Sequence, residues 1–119
     1  MHQATLEEVL ARFGQGNEQR EAQGQSLEWL VPMCKRAGIV SILINGSFVT
    51  DRDEPNEVDC VLLQGPEYRA RSSASRKLKK GFPFLEVKIV SPRNYVRFRD
   101  VLFASDRDMI AKGVVEVLV

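Results

Sequence analysis

Apolar residues recur at helical spacing in two stretches near the beginning of the chain. The first, 6–13, opens with the capping-box pattern of residues 5–8 (Thr-Leu-Glu-Glu), in which a threonine hydroxyl and a glutamate carboxylate satisfy free backbone amides. The second, 18–37, carries an apolar face that includes Trp29 and stops at Gly38, a residue suited to a helix C-terminus. The pattern therefore predicts two helices, with Trp29 packed in the core.

Shorter apolar runs, rich in β-branched residues and bounded by glycine or proline, predict strands. They cover 39–44, 57–63 and 82–90, and a further run covers 113–119. Only a short polar turn separates the first two, so we expect these strands to be antiparallel neighbours in one sheet.

Two other stretches give weaker helical patterns. The segment 67–80 has few apolar residues, and 94–104 fits either a helix or an irregular segment. The alternation of helices and strands predicts an α+β fold, a mixed β-sheet with helices packed on it. A length of 119 residues fits one domain, 1–119.

Amino-acid composition restricts the possible metal-binding and catalytic groups more than it restricts the possible binding partners. Hydrophobic residues make up 44% and charged residues 28%, with a formal net charge of +1, so overall charge favours no partner class. Cys34 and Cys60 have no spacing typical of a disulfide framework or a zinc site, and the only histidine is His2, at a terminus expected to fray. The absence of a signal-peptide pattern, and of an apolar run near the ~20 residues that span a bilayer, predicts a cytoplasmic protein without membrane contact.

The predicted strand 39–44 runs directly into Gly46-Ser47. Glycine permits a tight turn and lets a phosphate approach the backbone closely, and serine adds a hydroxyl and an amide donor. This pair is therefore a candidate phosphate contact.

Acidic residues follow on the next predicted strands. Glu57 and Asp59 are two positions apart, so their side chains share one face of a strand. Two carboxylates about 4 Å apart repel by roughly 4 kcal/mol at an effective dielectric constant near 20, which favours a compensating cation such as Mg²⁺. Glu86 is a candidate third carboxylate, and Lys88 shares its face, where it either neutralises the acids or contacts a nucleotide.

The string NGSFVTDRDEPNEVDCVLL, with KGVVEVLV near the end, resembles the polymerase-beta-type nucleotidyltransferase superfamily, in particular small stand-alone bacterial domains of that fold. The resemblance implies that Gly46 and Ser47 hold substrate phosphates. It also implies that Glu57, Asp59 and Glu86 are catalytic acids that bind magnesium, with room for a two-metal site. The implied reaction transfers a nucleoside monophosphate from a nucleoside triphosphate to a protein or RNA hydroxyl. The chain departs from the family pattern in its first acid, a glutamate, and in lacking the helical domain that often completes the pocket.

Two alternatives stay open beside the enzyme. In one, the chain is an inactive module of nucleotidyltransferase fold that binds a partner protein, as in toxin–antitoxin pairs. In the other, the basic run 69–80 binds RNA, although Tyr68 is the sole aromatic residue near it. That run contains six cations and no acid: Arg69, Arg71, Arg76, Lys77, Lys79 and Lys80.

Overall fold

A computed structural model describes residues 2–50, 55, 58–108 and 113–119. These residues form an α+β fold in which one five-stranded mixed sheet is combined with four α-helices. The elements in chain order are β1 (His2–Ala4), α1 (Leu6–Phe13), α2 (Glu18–Ala37), β2 (Ile39–Gly46), a 3₁₀ turn (Ser47–Val49), β3 (Val58–Gln64), α3 (Ser73–Lys80), β4 (Leu85–Val90), α4 (Pro92–Asp108) and β5 (Gly113–Leu118). The predicted α+β class, with helices packed on a mixed sheet, is confirmed.

The strands lie in the order β1-β5-β2-β3-β4. β2 is antiparallel to both of its neighbours, β3 and β5, as expected for β2 and β3 from their short connection. β3 and β4 are parallel, because α3 carries the chain back across the sheet between them. β1 and β5 are also parallel, which brings the two ends of the described chain together.

Local sequence signals account for the first two helices. The Thr5 hydroxyl accepts from the Glu8 amide at 3.1 Å, and the Thr5 amide donates to the Glu8 carboxylate at 3.1 Å, so the predicted capping box is present. α2 continues through Pro32 and ends at Gly38, whose φ of 90° is a left-handed conformation that glycine adopts without a Cβ clash. Both predicted helices are confirmed with their predicted bounds.

Each face of the sheet has its own apolar core. On one face, α1, α2 and α3 pack over buried residues such as Leu27, Ile42 and Leu62. On the other, α4 packs through Tyr95 against strand residues that include Val61. None of the helices within the described ranges is long and apolar enough to cross a membrane.

Several expectations were wrong. Trp29 is 52% exposed, because it lies on the outer side of α2 while other residues of the helix face the sheet. His2 is not frayed but begins β1, where it pairs with Val115 of β5. β4 begins at Leu85 rather than at residue 82, since a turn with Phe84 at φ 66° precedes it.

The helical segment predicted over 67–80 is shorter than expected. Ser72 caps α3, its hydroxyl accepting from the Ser75 amide at 3.1 Å, so the helix begins only at Ser73. In contrast, the segment left open at 94–104 belongs to a continuous helix, α4.

Candidate functional site

Three polar residues form a row across β2, β3 and the edge strand β4, near one end of these strands and on the face that α4 partly covers. Asn45 on β2 is the register partner of Asp59 on β3, and Asp59 is the register partner of Glu86 on β4. Directly paired residues project to the same face, so the three side chains are neighbours. They line an open pocket of about 210 Å³, and the other residues at its wall are Cys60, Val61, Lys88 and Phe98.

The two carboxyl groups in this row are in direct contact. Asp59 is half-buried and Glu86 is exposed, and their side chains form a hydrogen bond with each other. Burial, the charge of Glu86 and this hydrogen bond raise the pKa of Asp59, whereas the Lys88 ammonium opposes the rise. A cation placed beside the two carboxyl groups would relieve the repulsion between them.

Lys88 supplies positive charge to the same pocket. It lies two residues after Glu86, on the same face of β4, and its Nζ is 5.6 Å from the centre of the Phe98 ring. Contact between an ammonium group and an aromatic face is attractive, so Phe98 of α4 fixes where the lysine head lies. The pocket therefore combines two carboxyl groups, one ammonium group and one aromatic wall.

Asn45 is a member of the site that sequence reasoning missed. Its Oδ1 atom is buried and accepts no hydrogen bond from the described residues. Such an unsatisfied acceptor costs about 1–3 kcal/mol, and proteins seldom keep one without a use for it. The signal that was available is a polar residue at the end of a buried strand, one position before Gly46.

Gly46 ends β2 beside this row and has φ 102° and ψ −172°, a conformation that residues with a Cβ rarely adopt. A 3₁₀ turn, Ser47–Val49, follows directly, so the predicted change from strand to turn at Gly46-Ser47 is confirmed. The backbone of Ser47 belongs to this turn, and its side chain lies outside the described residues.

Arg20 of α2, which the sequence analysis also did not identify, stabilises this turn through hydrogen bonds to its backbone. Its guanidinium donates to the Phe48 carbonyl at 2.7 Å, to the Thr50 carbonyl at 2.7 Å and to the Phe13 carbonyl at 3.1 Å. The arginine is only 7% exposed. A buried planar cation with several backbone acceptors fixes the course of the chain after Gly46.

The structure thus brings together Asp59, Glu86, Lys88 and the Gly46 turn. Glu57 lies outside the described residues, so its predicted place beside Asp59 stays a prediction. Within the described ranges, no three histidine, cysteine or acidic residues form a group suited to a metal ion. Cys60 faces away from the acids as expected, and burial raises the pKa of its thiol.

Comparison with known protein families gives one assignment. The chain belongs to the DUF6932 family, described as a family of unknown function, whose model matches residues 1–118. No curated protein and no solved structure matches the chain.

Proposed function

We propose that this member of a family of unknown function is a minimal nucleotidyltransferase, of the polymerase-beta-type fold that its sequence resembles. It would bind a nucleoside triphosphate with Mg²⁺ at the Asp59–Glu86 pocket and transfer the nucleoside monophosphate to a protein or RNA hydroxyl. The observation that carries the proposal is the contact between the Asp59 and Glu86 carboxyl groups. This pair lies close to the Gly46 turn, because Asp59 is the register partner of Asn45, the residue before Gly46.

The donor atoms in the pocket suit magnesium. Mg²⁺ prefers oxygen ligands, commonly one or two carboxylates together with water and substrate phosphates. Asp59 and Glu86 offer carboxylates, and the unsatisfied Oδ1 of Asn45 offers a neutral oxygen in the same row. When bound, the ion would neutralise phosphate charge and favour displacement at phosphorus. These three residues are the ones that would hold it, and Glu57 stays a predicted further ligand.

The remaining residues have roles that follow from their positions. Gly46 lacks a Cβ, so a phosphate can approach the backbone where β2 ends. Lys88 places an ammonium group in the pocket, which would attract a phosphate oxygen. Phe98 forms an apolar wall that limits water on one side.

Calorimetric titration with ATP and MgCl₂ tests the proposal directly. We expect saturable, magnesium-dependent binding that weakens at least tenfold in Asp59→Asn and Glu86→Gln. Asp100→Asn is the matched control, because that exposed acid lies on α4 and does not line the pocket. Absence of binding at millimolar ATP, or equal affinity in Asp59→Asn and Asp100→Asn, would contradict a nucleotide site here.

A second candidate, a module that binds a partner protein as in toxin–antitoxin pairs, is favoured by a different observation. β4 is an edge strand of the sheet, and Phe84, directly before it, is 51% exposed. Open strand edges with adjacent apolar side chains can receive another chain. This candidate predicts no nucleotide affinity and a complex, formed on co-expression with the product of a neighbouring gene, that survives Asp59→Asn and is lost in Phe84→Asp.

A further inference from the structure

The most strongly charged surface of the described chain is formed by α3 and the turn that leads into it, which we call the α3 basic surface. Between Glu67 and Glu86 the sequence has no acidic residue, whereas the net charge of the whole chain is only +1. All six cations of this segment are exposed: Arg69, Arg71, Arg76, Lys77, Lys79 and Lys80. The rest of the chain has 11 basic and 16 acidic residues, a formal net charge of −5, so positive charge is concentrated at this one place.

The fold holds this surface in a defined shape. Ala74, Ser75 and Leu78 are buried beneath α3, which turns the charged positions of the helix outward. The preceding turn is fixed by a 2.7 Å hydrogen bond between the Tyr68 and Ser75 hydroxyls. The basic residues are thus presented on an ordered helix and turn rather than on a loose tail.

No acidic side chain neutralises this charge in the part of the chain that the structure describes. The ion pair found there, between Arg99 and Asp100 at 4.0 Å, lies on α4. The heads of Arg69 and Lys79 contact only backbone carbonyls, each at 3.3 Å. Like charges four positions apart on a helix, as at Arg76 and Lys80, repel one another, so an anionic partner would relieve a cost already present in the fold.

We infer that the α3 basic surface binds the phosphate backbone of double-stranded RNA. Arrays of lysine and arginine release counterions from a nucleic acid, and this release supplies affinity without reading sequence. Ser73, exposed in the first turn of α3, adds a hydroxyl that can bond a ribose 2′-hydroxyl, a group that only RNA carries.

Two other anionic partners fit this surface less well. A membrane-binding helix needs a free apolar face to enter the bilayer, and the apolar side of α3 is already buried in the core. Single-stranded nucleic acids are held largely by aromatic stacking. Tyr68, the aromatic residue of the turn before α3, is half-buried and its hydroxyl is bonded to Ser75, so it offers bases little surface for stacking.

The inference is independent of the proposed enzyme. α3 covers the sheet face opposite to the one that carries the Asp59–Glu86 pocket. RNA affinity should therefore be unchanged in Asp59→Asn, and nucleotide affinity should be unchanged when the α3 basic surface is altered. An experiment that excludes RNA binding would therefore leave the nucleotide-binding proposal untouched, and the reverse also holds.

Fluorescence anisotropy with a labelled 20-base-pair RNA duplex tests the inference. If six cations contact phosphates, the plot of log affinity against log salt has a slope of about −5, and affinity falls about 10³-fold between 50 and 200 mM NaCl. The double variant Arg76→Glu/Lys80→Glu should weaken binding at least tenfold at 100 mM NaCl and make the slope shallower by about 2. Circular dichroism of each variant, and the milder Arg76→Gln/Lys80→Gln, check that the loss is not unfolding.

The matched control is Arg93→Glu/Arg97→Glu. These two arginines are also exposed and four positions apart, but they lie on α4, and their reversal changes the net charge equally. RNA affinity that is lost in the α3 variant and kept in the α4 variant supports the inference. Equal loss in both variants, no binding at 50 mM NaCl, or equal affinity for a DNA duplex of the same sequence would overturn it.

Discussion

Tyr95 offers a sharp test of how the α4 layer is attached to the sheet. Its hydroxyl donates to the Glu116 carboxylate at 2.5 Å and lies 2.9 Å from the Ser41 hydroxyl, and all three residues are buried. Gln3 of β1 donates to the other carboxylate oxygen of Glu116 at 3.0 Å. The substitution Tyr95→Phe removes one oxygen atom from this network and leaves the ring packing intact.

The expected cost follows from the charge on the acceptor. A hydrogen bond to a charged group contributes about 1.5–3 kcal/mol, and a buried carboxylate that loses a donor is left partly unsatisfied. At about 2.1 cal/mol/K of unfolding entropy per residue, a chain of 119 residues loses roughly 4 °C in Tm per kcal/mol. We therefore expect Tyr95→Phe to lower the Tm by about 6–12 °C at pH 7.

The loss of stability in Tyr95→Phe should also depend on pH, and the hydrogen bonds to Glu116 determine the direction of that dependence. Burial by itself would raise the pKa of Glu116, but hydrogen bonds from Tyr95, Gln3 and Ser41, together with the charge of Arg99, lower it. A carboxylate whose pKa is lowered by folding stabilises the protein above its unfolded pKa, and this stabilisation is lost as the pH falls through the folded pKa. The cost of Tyr95→Phe should thus be largest near pH 7 and shrink as the pH falls through the folded pKa of Glu116.

Urea denaturation at pH 7 and pH 3, followed by circular dichroism, measures both quantities. Tyr68→Phe is the matched control, because the Tyr68 hydroxyl bonds the neutral Ser75 hydroxyl at 2.7 Å and is only half-buried. The control should cost about 0.5–1.5 kcal/mol at both pH values. Equal costs for the two substitutions at pH 7, or a Tyr95→Phe cost that does not change with pH, would refute this account of the network.

Three further outcomes follow from the structure. Folding raises the pKa of Asp59 through burial and the charge of Glu86, so the stability that Asp59 contributes is present below its unfolded pKa and lost as the pH rises through its folded pKa. Urea denaturation at pH 7 without magnesium should therefore find Asp59→Asn more stable than the wild type. Lower stability of the variant would contradict the raised pKa. Burial raises the pKa of Cys34 to about 12 and that of Cys60 further, so a thiol reagent at pH 8 should label both only after unfolding. Gly38 has φ of 90°, and a Cβ added there would lie 2.7 Å from a backbone nitrogen; Gly38→Ala should therefore cost at least about 3 kcal/mol in thermal unfolding, and a cost below about 1 kcal/mol would contradict this close approach.

The sequence predicts elements whose information is local. The capping box at Thr5, the left-handed glycine that ends α2 and the β-branched run of β2 each act within a few residues, and all three are present. Trp29 shows the limit of that reasoning, because α2 buries polar residues such as Gln23 while leaving the tryptophan outside. Which side of a helix faces the sheet depends on tertiary packing, and periodicity alone does not determine it when the apolar stripe is weak.

The residues of the candidate site also differ in whether local sequence predicts their placement. Asp59 and the Gly46 turn follow from spacing within single strands, whereas the contact of Asp59 with Glu86 needs the register between β3 and β4. That register depends on the α3 crossover and on residues far apart in the chain. The role of Arg20 is harder still to predict from the sequence, because its hydrogen-bond partners are backbone carbonyls and no side-chain pattern reveals them.

The place of β5 has a consequence for how the protein is made. β5 is the last strand in the sequence, yet it lies between β1 and β2 and pairs with both. Until residues 113–118 have been synthesised, β1 has no neighbour and β2 shows an open, apolar edge that other chains can pair with. A chain cut before Gly113 would therefore expose a sheet edge able to aggregate.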